Sequence, residues 1–111
     1  MTITWDEFQK VEMRVGTIID AQEFPEAIKP AYKLIVDLGN EIGFKKSSAQ
    51  ITDLYSIKEL IGKQIIAVIN FPPKKIGPFT SECLVTGFYT NNNAVILATT
   101  DKKIPNGSLL A

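Results

Sequence analysis

Lysine carries most of the chemistry this chain offers. Two pairs stand side by side, Lys45-Lys46 and Lys74-Lys75, and Lys29 and Lys33 precede them. An ammonium is a compact charge that holds phosphate oxygens and positions a nucleic-acid backbone, but it carries no base code. Asn70 and Ser81 can hydrogen-bond ribose or phosphate. Phe71, Phe79, Tyr32 and Tyr89 can offer rings for stacking bases. Each of these has a plainer alternative. Asn70 suits a turn or barrel-closing amide, Ser81 suits a strand-end cap, and Tyr32 lies on an inward parity that favours core packing.

Catalytic chemistry is poorly supplied. There is no histidine, and Cys83 is the single cysteine. That removes histidine acid–base catalysis, Ser-His and Cys-His nucleophile pairs, and zinc sites of the Cys/His kind. Cys83 in the run CLVTGF reads as a small buried residue. Asp37 and Asp53 are the central carboxylates, and neither has a partner at a motif-like spacing. No catalytic residue, metal or cofactor is expected, and the chain reads as a binding protein rather than an enzyme.

The 111 residues make one domain, 1–111, with 45% hydrophobic and 22% charged residues. Twelve basic and twelve acidic residues cancel, so the whole surface exerts no net pull on nucleic acid or membrane. The cancellation is only an average. Residues 1–26 set six acids against Lys10 and Arg14, a net −4, and residues 27–75 carry a net +4. The basic middle is a candidate anion-binding face. No apolar run approaches the roughly 20 residues of a membrane helix. MTITWDEFQK lacks the basic start and apolar stretch of a signal peptide. The expectation is a soluble, cytoplasmic protein without membrane insertion.

The elements that must position these side chains can be read from period and punctuation. Thr4 and Glu7 have capping-box spacing, which predicts a short helix over 5–9. Residues 11–19 alternate Val11, Met13, Val15, Thr17 and Ile19 on one face, with Gly16 marking a bend or bulge. Residues 31–38 place Tyr32, Leu34, Val36 and Leu38 inward, and Gly39-Asn40 turns the chain into a third strand over 42–49. Ser56 and Glu59 form a second capping box. Leu54, Ile57, Leu60 and Ile61 suit one helical face, and Gly62 suits the stop. QIIAVINF, residues 64–71, reads as a central strand. Residues 72–78 read as a loop, then 83–88 and 94–99 as two more strands around Asn91-Asn92-Asn93. Three antiparallel strands, a short helix and further strands give an all-β, five-stranded Greek-key OB-fold barrel with short N- and C-terminal extensions. An SH3-like barrel is the alternative, with no natural place for the second helix. OB-folds bind on strands 2–3 and the 1–2 and 4–5 loops, where Lys29, Lys33, Lys45, Lys46, Lys74 and Lys75 fall.

The stretch from Asn70 through Phe71, Pro72, Pro73, Lys74 and Lys75 to Ile76, with Ser81 and Leu84, resembles a known domain family. This is the structure-specific tRNA-binding domain, which occurs alone and appended to some aminoacyl-tRNA synthetases. The family shows Asn-Leu-Lys-Pro-x-Lys-Met-Arg-Gly, then Ser-x-Gly-Met. Further matching pieces are Val15-Gly16-Thr17-Ile18, Val36-Asp37-Leu38-Gly39, Ser48 with Ile51, and Glu59-Leu60-Ile61-Gly62-Lys63. Within the family, the near-complete match from Trp5-Asp6-Glu7-Phe8 to Pro105-Asn106-Gly107 resembles its branch of export-related chaperones. The resemblance spans essentially the whole chain. It implies a non-enzymatic OB-fold homodimer that binds tRNA by shape and backbone, with a chaperone role toward unfolded or precursor polypeptides destined for export. The alternative is primarily a peptide-binding secretion chaperone, with RNA binding incidental. The chain departs from the family at Pro72, Gly77, Pro78, Cys83 and Leu84. Two of these replace cations, so the 4–5 loop loses charge and gains apolar surface.

The expected RNA-binding set is therefore Lys33, Lys45, Lys46, Asn70, Lys74, Lys75, Ser81 and Leu84. The expected peptide-binding set is Phe71, Pro72, Ile76, Pro78 and Phe79, with folding back over the barrel end or entry into a dimer contact as alternatives. A lysine-rimmed apolar channel would suit either ligand. Trp5, Phe8, Ile104, Leu109 and Leu110 lack an obvious core of their own. They are expected at a homodimer interface, with plugging of the barrel ends as the alternative.

Overall fold

β1 (Met13–Glu23) is long enough to pair twice, and the barrel is built around it. A computed structural model describes all 111 residues. The first half of β1 runs antiparallel to β4 (Gln64–Val68), and its second half to β2 (Tyr32–Asp37). β3 (Phe44–Ala49) pairs with β2, and β7 (Leu84–Val85) with β4, which gives the order β3-β2-β1-β4-β7. β3 and the chain entering β7 then meet, so the sheet curls into a nearly closed five-stranded antiparallel barrel of OB-fold kind. α2 (Ile57–Leu60) sits between β3 and β4 in chain order.

β2 follows the expected alternation. Tyr32, Leu34 and Val36 are buried, as is Leu38 just beyond the strand. The expected parity of the first strand fails after Val15. A register shift lies between Ile18 and Asp20. Ile18 before it and Ala21 after it both point into the core, and Ile19 between them is 38% exposed. Period two holds only until an extra residue is inserted. Gly16 is not the bulge; a Cβ there would collide with Val36 and Leu38. Its bare backbone lets β1 cross close over β2.

Both capping boxes form. The Thr4 and Ser56 hydroxyls accept the Glu7 and Glu59 amides, and each glutamate reaches back to its cap amide. α1 (Trp5–Gln9) has no buried residue. In α2, Leu60 is fully buried, whereas Leu54 and Ile61 are half exposed, because four residues make barely one turn and face the core only once. Gly62 ends it at φ +91°.

The expected 72–78 loop is instead a hairpin, β5 (Lys74–Ile76) against β6 (Phe79–Ser81). Gly77 stands first in the two-residue turn at φ +56°, with Pro78 behind it. A glycine at the first central position is the mark of a II′ hairpin turn. β4 accordingly stops at Val68 rather than residue 71. The last pair of strands is β8 (Gly87–Tyr89) and β9 (Val95–Leu97), with Asn93 at φ 63° in the turn.

The chain end docks beside the start of β1, where β2 no longer pairs. Val15 N–H donates to the Ser108 carbonyl (2.9 Å), Gly107 N–H to the Val15 carbonyl (2.7 Å) and Leu110 N–H to the Met13 carbonyl (2.9 Å). Gln64 fastens the approach by accepting from Ile104 N–H (3.1 Å) and donating to the Ile104 carbonyl (2.6 Å).

Candidate nucleic-acid interface

Adjacent residues on a strand point to opposite faces, and this separates the lysine pairs. On β3, Lys46 stands across from Ile35, and Lys45 across from the buried Val36. Lys46 therefore shares the outer face of β2–β3 with Lys33, and Lys45 belongs to the inward parity at the strand's start. On the hairpin, Lys74 pairs with Ser81 and Lys75 with Thr80, so these two also diverge.

Lys33 and Lys46 converge on two packed rings. Phe24, at the end of β1, meets Phe79 edge-on, with centroids 5.4 Å apart and planes at 61°. Lys33 Nζ stands 5.7 Å from the Phe24 centroid, and Lys46 Nζ 5.4 Å from that of Phe79. Both lie within cation–π range, at roughly 0.5–1 kcal/mol each for partly exposed groups. Neither lysine has an ion-pair partner, since the one salt bridge joins Arg14 to Glu12. The rings thus tie the 1–2 loop, β2–β3 and the 4–5 hairpin together beneath two free ammoniums. Phe24 was not among the expected site residues. A single aromatic before Pro25 gives no signal of a partner 55 positions away.

The other expected RNA-binding residues lie elsewhere. Asn70 Oδ1 accepts Glu12 N–H (3.0 Å), and its Nδ2 donates to the Lys10 carbonyl (2.6 Å). Its amide clamps the segment after α1 onto the end of β4. Ser81 Oγ accepts Ser48 N–H (3.2 Å) and donates to the Cys83 carbonyl (3.3 Å), so it stitches the barrel seam. Glu82 completes that seam: its Oε1 accepts Lys46 N–H (3.0 Å), and its own N–H donates to the Lys46 carbonyl (2.7 Å).

Lys74, Ser81 and Leu84 line an open groove of about 770 Å³ between the end of β3 and the β5–β8 region. Phe71, Pro72 and Ile76 line it as well, as do Ile51, Tyr89 and Val95, which sequence reasoning had not grouped there. Phe71 is 55% exposed and Leu84 46%. Pro78 sits at the exposed hairpin turn, and Phe79 faces Phe24. Tyr32 is core, its hydroxyl donating to the Tyr55 carbonyl at 2.8 Å. Cys83 lies in the groove floor, and burial, the largest cause, pushes its thiol up to about 11. A second cleft of about 390 Å³ is lined by Trp5, Phe8, Leu109 and Leu110, with Asn70 at its edge. The Trp5 and Phe8 rings lie 5.4 Å apart. Ile104 is held by Gln64 and does not line this cleft.

A family model described as "Putative tRNA binding domain" matches residues 13–109. The chain belongs to this tRNA-binding domain family. Among curated proteins it is 37% identical over 109 residues to a methionine–tRNA ligase of Halalkalibacterium halodurans, covering 97% of this chain and 16% of the ligase. It is 36% identical over 105 residues to that of Methanococcus aeolicus, covering 95% of this chain and 15% of the ligase. The chain thus spans about one-sixth of the length of these relatives. Solved structures match end to end. The CsaA chaperone protein of Picrophilus torridus superposes with a TM-score of 0.93 at 51% identity, covering 99% of this chain and 100% of that one. The chaperone CsaA of Bacillus anthracis gives 0.94 at 42%, covering 100% of both chains. The MetRS-related protein of Pyrococcus horikoshii gives 0.87 at 30%, covering 100% of this chain and 99% of that one. The whole-chain likeness to CsaA chaperones carries the near-complete resemblance read from the sequence.

Proposed function

We propose that the protein binds tRNA by shape and backbone through the outer face of β2–β3, and that it has no catalytic chemistry of its own. The observation that carries this reading is the convergence of Lys33 and Lys46 over the Phe24–Phe79 pair, where both OB-fold ligand loops meet the sheet. Lys75 is exposed on the hairpin face opposite Phe79 and is proposed as a further phosphate contact beside this surface. Lysines on a rigid platform grip phosphates without reading bases, so tRNAs of different sequence bind alike. Lys45 and Asn70 drop out of the contact set, one by strand parity and the other by its two backbone bonds. The test is fluorescence anisotropy with unfractionated tRNA. Lys33→Ala with Lys46→Ala should weaken binding tenfold or more at unchanged melting temperature. Unaltered affinity would remove this face from the interface.

The apolar groove favours a second role, as a chaperone for unfolded or precursor polypeptides in export. Exposed Phe71 and Leu84 beside Ile76 and Tyr89 form the apolar lining such segments need. The whole-chain likeness to CsaA chaperones supports the same reading. Phe71→Ser with Leu84→Ser should abolish binding of a reduced, unfolded protein and leave tRNA affinity intact.

The terminal cleft supports a homodimer, with Trp5, Phe8, Leu109 and Leu110 as its apolar contacts. Ile104, 40% exposed beside Gln64, lies outside this cleft. The place of action is the cytoplasm, where tRNA and newly made chains are found. No helix is long and apolar enough to cross a membrane.

A further inference from the structure

β3 is an edge strand, and its free edge is only half covered. One edge is bonded to β2. On the other, Lys46 N–H donates to Glu82 Oε1 and Ser48 N–H to Ser81 Oγ. These bonds fix which backbone groups look away from β2. By the two-residue period, the Ser48 carbonyl and the Gln50 amide and carbonyl share that direction. No group of the protein takes them over, and Gln50 makes no hydrogen bond at all within the chain. At this point the groove opens, with Ser48, Ala49, Gln50 and Ile51 as one wall. The opposite wall repeats the feature. Thr86 N–H donates to the Ile66 carbonyl (3.0 Å), so the next backbone pair inward, that of Val85, faces the groove rather than β4.

The charges select among occupants. Glu82, bonded to the Lys46 amide, keeps its negative charge at the β3 seam and leaves the hairpin end of the groove to Lys74. Lys74 is exposed, is the lone cation of the lining, and has no ion pair. A chain lying here gains backbone hydrogen bonds along one wall, apolar contacts from Phe71, Ile76 and Leu84, and a cation at one end.

We propose that the groove takes an extended, apolar polypeptide segment with an acidic residue near one end, and that this segment adds to β3 at Ser48–Gln50 as a further strand. The proposal rests on the chaperone reading of the same groove. Strand addition binds main chain to main chain, so it gives affinity for many sequences, as a chaperone requires. It also separates the two ligands. The peptide meets the groove at Ser48–Gln50, and tRNA meets the outer β2–β3 face at Lys33 and Lys46.

The probe is a labelled ten-residue peptide of alternating valine and threonine with a terminal aspartate, read by anisotropy and scanned one position at a time by backbone N-methylation. The expected result is a two-residue rhythm, with tenfold or greater losses at alternate positions and little change between. Gln50→Pro removes an N–H that the fold does not use; it should cost the peptide similar affinity and spare tRNA binding and melting temperature. Uniform tolerance of N-methylation with intact affinity would overturn strand addition while leaving the groove. Failure of the unmethylated peptide to bind would overturn the groove reading and the strand with it. A change in sedimentation with Gln50→Pro, peptide affinity being unaltered, would assign the edge to a second copy of the chain and refute the proposal.

Discussion

Lys45 and Lys46 are neighbours in the chain and point to opposite faces. Chain adjacency suggested one charge cluster; strand parity divides it. Lys45→Ala should therefore leave tRNA affinity within about twofold of the parent, while Lys46→Ala lowers it several-fold. Equal effects in a titration would place both on the interface. The core holds a sharper case. Ser47 Oγ is fully buried and has no hydrogen-bond partner of ordinary geometry. It lies beside the Cys83 thiol and favours that thiol's charged form. Removing an unpaired buried hydroxyl removes a desolvation cost, so Ser47→Ala should be neutral or stabilising by about 1 kcal/mol in urea unfolding. Cys83 titrates at about 11 instead of 9.0, chiefly because it is buried, with Glu82 adding to the rise and Lys45 opposing it. At pH 8 iodoacetamide should label the unfolded chain and leave the folded one unmodified. The sign for stability follows. The folded state holds the proton more tightly, so the thiol's contribution is intact below pH 9 and is lost as pH rises toward 11. Cys83→Ala should lack that component of the alkaline decline.

Elements with local signatures were legible in the sequence. Both capping boxes rest on residues three apart, and both form. β2 shows clean alternation, because one face is core and the other solvent for its whole length. What was not legible depended on distant partners. The β1 bulge lies just past Thr17, the last residue of β1 paired with β4, and the sequence around Ile18-Ile19 is apolar on both parities. The β5–β6 hairpin hides in a stretch with Pro72, Pro73 and Pro78, which reads as loop until Gly77 is seen to take a positive φ. Gly16 matters for a reason no local pattern contains: two side chains of β2 lie where its Cβ would be. Gly16→Ala should cost about 1–3 kcal/mol by overpacking, read as a lower urea midpoint at unchanged slope. An unchanged midpoint would mean that β1 and β2 can part at little cost.

At the scale of the whole molecule, the order of strands around a short helix was enough to reach the OB-fold. It could not show that the basic residues divide between two surfaces. One is a lysine-over-aromatic platform on β2–β3. The other is a groove bordered by the β5–β6 hairpin, in which Lys74 is the sole cation. Nor could it show that the Asn70 and Ser81 side chains are engaged within the chain, since the bonds that engage them come from Lys10, Glu12 and Ser48. The two chain ends gather Trp5, Phe8, Leu109 and Leu110 around one cleft, and sedimentation at micromolar concentration should show a dimer. Leu109→Glu, at a site 60% exposed in the single chain, should give a folded monomer. A parent chain that sediments as a monomer would contradict the pairing.

The central claim is that tRNA is gripped through phosphates by the free ammoniums of the β2–β3 face and the adjoining hairpin. Its most direct measurement is the salt dependence of tRNA affinity, for the parent and for the variant with Lys33, Lys46 and Lys75 all changed to alanine. Each phosphate neutralised contributes roughly −0.7 to −0.9 to the slope of log affinity on log salt. The account predicts a slope for the variant shallower by about two to three, with affinity lowered alike for all tRNAs. A variant that keeps the parent's slope and affinity would contradict it.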